Sequence, residues 1–321
     1  MMSERYSRMH VCLTQIHLEA KGIASYEFRA VAPTEQLPAF TAGAHIDIYM
    51  PGDLVRSYSL VNDPQERNRY VIAVQYEASG RGGSRYLHTV PRVGMEIEVS
   101  VPVNDFTLDE YARESVFICG GIGITPVMSM IRRLERIGKP WRLYYASRSR
   151  ENAAFLEALS ELDQHDRVRL FFSSTPREHL SIRAVVAEAA PDAHLYCCGP
   201  RAMLDAFVDE CATRPAGHVH FERFGAATEA ATTGGFEVVL VRSGKKIRVE
   251  AGKTMLDALL DNGVPVQYAC SAGVCGTCRT TVLDGVPDHR DDYLTDDEKK
   301  NNRLVMVCCS GSKTNSLSLD L

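Results

Sequence analysis

The chain has 321 residues, 45% of them hydrophobic and 24% charged, which is an ordinary globular composition and enough length for two or three domains with separate cores. A net charge of −5 gives no electrostatic footprint for nucleic acid or an anionic membrane. The opening MMSERYSRMHVCLTQ lacks an apolar signal core, and no stretch approaches the ~20 apolar residues of a spanning helix. The expected setting is therefore cytoplasmic, with no nucleic-acid and no membrane partner, and there the ten cysteines read as thiols, metal ligands or small buried hydrophobes rather than a disulfide framework.

Residues 1–103 alternate in strand fashion through VCLTQIHL, ASYEFRAV, HIDIYM, SYSLVN, RYVIAVQYE and MEIEVSV, broken by Gly, Pro and Asn; this predicts a small antiparallel β-barrel. From 104 to 226 strands alternate with helices. SVFICG leads to a helix expected to be capped by Thr125 with Pro126 at its first position, and WRLYYAS precedes a helix over ENAAFLEALSEL. VRLFFS precedes a helix beginning near Ser181, and LYCCG precedes PRAMLDAFVDEC. Such alternation predicts βα units on a parallel sheet.

The stretch GAATEAATTGG, 225–235, is small and polar, with no core-facing pattern; 227–235 is taken as an interdomain linker. In the last segment, 236–321, FEVVLVRSGKKIRVEAG predicts a hairpin turning at Ser243-Gly244. A helix capped by Thr254 and stopped by Gly263 follows, and TDDE has the form of a capping box between Thr295 and Glu298.

That last segment holds YACSAGVCGTCR. Cys270, Cys275 and Cys278 have the spacing of a plant-type [2Fe-2S] loop, and Cys308 comes later, at the end of the apolar run RLVMVC. The small residues between them allow backbone N–H groups to approach cluster sulfurs without side-chain crowding. Cys309 is the rival fourth ligand, and Cys308 is preferred for its spacing and its position at a strand end. A zinc site would pair its cysteines two and two in short knuckles instead of using a four-residue gap in a glycine-rich loop. This segment resembles plant-type ferredoxin over its whole length, which implies a β-grasp fold and a one-electron carrier.

Two further sets of motifs lie upstream. In RSYS (56–59), Arg56 offers a fork for a phosphate or an electron-rich ring, Tyr58 an aromatic face, and Ser57 and Ser59 small hydroxyls. In GRGGSRYLH (80–88), Gly82, Gly83 and Ser84 at a helix start form a seat for an anion, although a surface strand and a hairpin turn would give the same pattern. In GGIGITPVM (120–128), Gly120, Gly121 and Gly123 permit close backbone approach ahead of a helix N-terminus, with Pro126 where a dinucleotide fingerprint would carry its third glycine. YCCGPRAM puts Cys198, Gly199 and Pro200 at another strand-to-helix switch, while Cys119 and Cys197 read as buried strand cysteines.

RSYS, GGSRYL, GGIGITP and CCGP, in that order, identify the chain as similar to the ferredoxin-NADP reductase superfamily, in the branch with a C-terminal ferredoxin. The resemblance implies three domains and a flow of electrons from NADH through FMN to the cluster and on to a Rieske-type aromatic-ring oxygenase. It carries Arg56, Ser57, Tyr58 and Ser59 to the flavin, and Gly83 and Ser84 to the FMN phosphate. It carries Gly121, Gly123, Thr125 and Pro126 to the nucleotide crevice, and Cys198 and Gly199 to the nicotinamide, with Cys198 and Ser59 closest to the chemistry. Phe224 of FERFG is similar to the aromatic that relatives lay over the flavin face; packing against the core or linker is its other reading.

NADH is favoured over NADPH because FFSSTPRE lacks an early Ser-Arg pair for a 2'-phosphate, Arg177 coming late. FMN over FAD rests on the C-terminal position of the ferredoxin. A redox-sensing regulator, or an NADH diaphorase with another acceptor, are the alternative functions. The acidic run DDYLTDDE is expected to be a solvated helix start, with an electrostatic docking face as its other reading.

Overall fold

The computed structural model describes residues 7–321 except 33, 53, 79, 81, 164–165, 176–178, 225–229 and 269. The chain divides into two compact units, Met1–Arg223 and Phe224–Leu321.

The first unit opens with β1 (Arg8–Ala20), β2 (Ile23–Ala30), β3 (His45–Met50), β4 (Leu54–Ser59), β5 (Tyr70–Gln75), helix α1 (Gly83–Thr89) and β6 (Glu96–Ser100). The strands form one antiparallel sheet in the order β4-β3-β6-β1-β2-β5. Its two edges meet just past β4, where Leu60 bridges to Ile72 and the Val61 N–H donates to the Val71 carbonyl at 2.9 Å, so the sheet closes into a barrel. Alternating β-branched and aromatic residues fill the interior with Val11, Leu13, Tyr26, Phe28, Ile46, Ile48, Leu60, Tyr70, Ile72 and Val99. Each such side chain contributes about 1.5–3 kcal/mol on burial.

The same unit continues with β7 (Ser115–Gly120), α2 (Ile124–Ile137), β8 (Trp141–Ser147), α3 (Leu156–Leu162), β9 (Val168–Phe172), α4 (Ile182–Glu188), β10 (His194–Cys198), α5 (Arg201–Glu210) and β11 (Val219–Glu222). The five strands run parallel in the order β11-β10-β7-β8-β9. Chain order reverses between β7 and β10, the switch point at which open α/β sheets hold their ligands. The expected N-cap Ser181 accepts from the Ala184 N–H.

Two expected helix starts are corrected. A 3-10 turn over Gly121–Gly123 runs directly into α2, so Gly123 is the N-cap and the helix begins at Ile124. Thr125 is not the cap: it lies inside the first turn, where its Oγ1 donates to the Ile122 carbonyl at 2.9 Å. Pro126 is then the third helical residue and not the first, tolerated because first-turn amides have no intrahelical acceptor. Over ENAAFLEALSEL only α3 is α-helical. Residues 150–152 form a 3-10 turn, Phe155 adopts a left-handed φ of 62°, and the Ala154 N–H donates to the buried Tyr145 hydroxyl at 3.1 Å. That side-chain acceptor draws Ala153 and Ala154 into the core before the helix starts.

Barrel and parallel sheet share a core. Ile23, Ala42, Val61, Ala73 and Phe106 cluster with Phe117, Cys119, Val127, Tyr196 and Cys198. The Gly43 N–H donates to Ser129 Oγ at 3.0 Å, and Arg136 Nε to Asp63 at 2.7 Å.

The second unit contains β12 (Phe236–Leu240), β13 (Lys246–Val249), α6 (Met255–Asp261), β14 (Arg279–Asp284), β15 (Pro287–Asp288), α7 (Asp296–Asn301), β16 (Leu304–Met306), β17 (Gly311–Ser312) and β18 (Ser316–Leu319). The sheet order is β13-β12-β18-β14-β16, with β12 and β18 parallel, and α6 packs Met255, Leu256 and Leu259 into the core with Val238, Ile247 and Leu317. This is the β-grasp arrangement. The expected capping box of Thr295 with Glu298 forms, the expected cap Thr254 forms a further one with Asp257, and Gly244 turns the expected hairpin with a φ of 69°. Of the expected linker, 227–229 lie outside the described residues. Ala231 and Gly235 donate to the Cys309 and Val249 carbonyls, so this stretch is hydrogen-bonded onto the second unit.

Candidate functional site: a thiol cage and two glycine-lined seats

The loop 270–278 is shaped by residues with positive φ: Ser271, Gly273 and Gly276. These turn backbone amides toward sulfur, the Ala272 N–H donating to Cys270 Sγ at 3.3 Å. Cys275 Sγ lies 3.2 Å from Thr277 Oγ1.

The four expected thiols come together in two pairs. Cys270 hydrogen-bonds with Cys275 and Cys278 with Cys308, and the pairs also act on one another, Cys308 on Cys270 and Cys275 on Cys278. Sharing one proton across each pair, with burial added, pushes Cys270 and Cys278 up, while the hydrogen bond from Cys270 brings Cys275 down to about 6. Among the described residues no three Cys, His, Asp or Glu side chains converge on one point that could hold a single ion. Four thiols in two interacting pairs fit a dinuclear cluster, in which each iron takes two thiolates.

Cys309 also hydrogen-bonds with Cys308, and it lies at the edge of the thiol group. Its Sγ lies 3.8 Å from the Met306 carbonyl and 3.9 Å from Ser310 Oγ, beneath Gly273, where a Cβ would stand 2.5 Å from it.

In the barrel, RSYS forms most of β4, and the start of α1 lies against it. A Cβ at Gly83 would stand 2.6 Å from Arg56 Cγ and 3.2 Å from the Tyr58 hydroxyl, so only glycine lets this helix start approach the strand. Gly82 is the left-handed N-cap of α1 and supplies no side-chain cap, leaving the seat to backbone N–H groups. This cradle of amides beside a guanidinium and a phenol fits a flavin phosphate. Burial raises the Tyr58 phenol to about 12, so it remains a neutral donor. Ser57 donates to Asp47 at 2.6 Å, and Ser84 Oγ accepts from the Glu77 N–H at 3.1 Å, so both hydroxyls are already engaged. Ser59 is buried at the end of β4, two residues before Val61, which packs in the same cluster as Cys198.

At the sheet's switch point GGIG and CCGP pack backbone to backbone. A Cβ at Gly123 would stand 2.2 Å from the Cys198 carbonyl oxygen, and one at Gly199 would stand 2.9 Å from the Gly120 nitrogen. Gly121 has open space around it at a φ of 54°. The close packing brings the two turns together at the N-terminus of α2, a kind of position that favours an anion. The Cys198 thiol is fully buried beside Cys119, and burial, then Glu222, keep it protonated. Arg177 lies outside the described residues. Phe224 is exposed and falls in the second unit.

One residue escaped the sequence reading. Glu222 ends β11 and pairs in register with Cys198. Its Oε2 is buried and meets no protein partner, and burial plus repulsion from Asp105 raises the carboxyl to about 8. It therefore stands beside Cys198 as a neutral acid near pH 7. An acid bound more tightly to its proton in the folded state contributes stability that is lost as pH rises from about 4.5 to about 8. Glu222→Gln is expected to remove this slope, the variant's melting temperature gaining on the parent across that interval and levelling above it. Parallel melting curves for the two proteins would contradict the assignment.

Residues 239–312 match the 2Fe-2S iron-sulfur cluster binding domain, and 117–209 the oxidoreductase NAD-binding domain. The chain is 51% identical, over 96% of each protein, to phenoxybenzoate dioxygenase subunit beta of Ectopseudomonas oleovorans. The solved structure of phthalate dioxygenase reductase, described as modular for electron transfer from pyridine nucleotides to [2Fe-2S], superposes with a TM-score of 0.85 at 39% identity, over 98% of each chain. The chain belongs to the phthalate dioxygenase reductase family. Within that family it is also 45% identical over the full length of both proteins to tetrachlorobenzoquinone reductase of Sphingobium chlorophenolicum. No helix among the described residues is long and apolar enough to cross a membrane.

Proposed function

We propose that this chain is the reductase component of a Rieske-type aromatic-ring oxygenase, taking electrons from NADH through FMN to a [2Fe-2S] cluster and on to the oxygenase in the cytoplasm. The observation that carries the reading is the coexistence in one chain of a paired four-thiol cage, a glycine-lined anion seat on a barrel and a second glycine seat at the switch point of a parallel sheet. Bound FMN supplies the conversion between the two-electron chemistry of NADH and the one-electron chemistry of the cluster.

The chain's own residues bind and orient. Gly82, Gly83 and Ser84 offer backbone N–H groups to the FMN phosphate, with Arg56 adding charge; Tyr58 and Ser59 border the ring. Gly121, Gly123, Thr125 and Pro126 form the nucleotide turn. Cys198 and Gly199, backed by the neutral Glu222, border the nicotinamide and exclude water. Cys270, Cys275, Cys278 and Cys308 hold the cluster. No acid or base is required for the transfer itself, so the protein contributes distance, alignment and a dry surround.

Cys198→Ala is expected to slow flavin reduction by NADH about tenfold or more in stopped-flow absorbance while leaving iron content unchanged. An unchanged rate would remove Cys198 from the nicotinamide site. The full-length similarity to a quinone reductase supports a second acceptor class. Steady-state NADH oxidation with a purified Rieske oxygenase and with a halogenated quinone separates the two, the productive partner being the one that accelerates turnover at micromolar concentration.

A further inference from the structure

Beside the cysteine loop lies a buried titratable pair that the electron path described above does not use. His289 follows β15, and its Nδ1 lies 3.6 Å from Asp291 Oδ1; the side chains are 9% and 0% exposed. Neither ring nitrogen of His289 has a hydrogen-bond partner, a costly condition for a buried polar group.

Asp291 is held from several sides. Its Oδ2 accepts from the Leu294 N–H at 2.8 Å and faces Lys299 Nζ of α7 at 3.9 Å, while the Lys299 ammonium donates to the Asp291 carbonyl at 2.7 Å. Ser310 Oγ is 3.5 Å from Oδ1, Cys309 packs nearby, and Arg290 is turned away onto Asp288 at 2.8 Å. Oδ2 is thus held by the Leu294 N–H, and Oδ1, which accepts from Ser310 Oγ, is the oxygen that faces the imidazole.

This carboxylate also abuts the cluster loop. A Cβ at Gly273 would stand 3.0 Å from Asp291 Cα and 3.2 Å from its Cβ, and the Asp292 N–H donates to the Gly273 carbonyl at 3.0 Å. An electron added within the thiol cage therefore appears close to a buried negative charge, where a low dielectric makes like charges costly. A proton arriving nearby offsets that cost, and an imidazole without hydrogen-bond partners beside the carboxylate is positioned to take it.

We infer that His289 is a redox-linked proton acceptor: as one electron enters the cluster, one proton from solvent binds an open ring nitrogen of His289, and the imidazolium then pairs with Asp291. Charge is conserved, one electron and one proton entering together. The inference rests on Cys270, Cys275, Cys278 and Cys308 holding the cluster. His289 acts as a positioning residue for charge and touches none of the reacting groups.

The test is an EPR-monitored potentiometric titration of the intact protein between about pH 6 and pH 8.5. The cluster midpoint is expected to fall by about 59 mV for each tenfold fall in proton concentration within part of that range. His289→Gln should keep the EPR signal and flatten the dependence. A flat profile in the parent protein overturns the inference, as does an equal slope in His289→Gln. Should His289→Gln fail to assemble a cluster, Asp291→Asn serves instead: loss of the slope supports the linkage and an unchanged slope overturns it. Absence of any EPR signal from the parent would instead overturn the cluster reading itself.

Discussion

Replacing Cys308 with alanine is expected to abolish the [2Fe-2S] cluster, whereas replacing the adjacent Cys309 leaves it in place. Cys308 is buried and interacts with both Cys278 and Cys309, while Cys309 sits under Gly273 with its Sγ 3.8 Å from the Met306 carbonyl and 3.9 Å from Ser310 Oγ. Three remaining thiolates cannot satisfy two tetrahedral irons. Iron analysis and low-temperature EPR of reduced Cys308→Ala should both fall to background, with NADH still bleaching the flavin, because the flavin and nucleotide seats belong to the other unit. Cys309→Ala should lose about 1 kcal/mol of stability from a small cavity and retain its signal. The reverse pattern would make Cys309 the ligand.

The second large effect is expected at Gly123. A side chain here meets the Cys198 carbonyl oxygen at 2.2 Å and the Gly199 nitrogen at 2.8 Å, and both are backbone atoms of a central strand end that cannot rotate away. Gly123→Val should cost about 3 kcal/mol, lowering the melting transition of the N-terminal unit by roughly 5–10 °C. Separating the two turns also displaces the nucleotide seat, so flavin reduction by NADH should fall about 100-fold. Gly121→Ala has open space around it and is expected to cost only about 1–2 kcal/mol for its left-handed backbone. Equal effects at the two glycines would show that backbone conformation, rather than the close approach to Cys198, sets the requirement at Gly123.

The features legible in the sequence were those fixed by local spacing. The caps at Thr254 and Thr295 and the hairpin turn at Gly244 are written in residues a few positions apart, and each forms as expected. Where a distant group intervenes, local reading fails. Thr125 has the composition of a cap, but the 3-10 turn of three preceding residues moves the helix start ahead of it. Glu222 looks like any charge at a strand end. It pairs in register with β10, and the charge that repels it is Asp105, more than a hundred residues upstream.

The run DDYLTDDE shows both cases side by side. Asp296, Asp297 and Glu298 are the expected solvated first turn of α7, whereas Asp291, the first residue of the run, is buried against Gly273, Ser310 and Lys299. Nothing in its immediate neighbours distinguishes it, because the groups that enclose it come from the cysteine loop, from α7 and from the segment after β16.

The most direct test of the electron path is an anaerobic titration of the purified protein with NADH, followed by visible absorbance and low-temperature EPR, with the released flavin identified by chromatography. The expected result is released FMN, bleaching of the flavin and a rhombic [2Fe-2S] signal that grows as NADH is added. A protein that contains zinc, or one whose flavin bleaches with no EPR signal, would contradict the account by showing that the thiol cage is structural and carries no electrons.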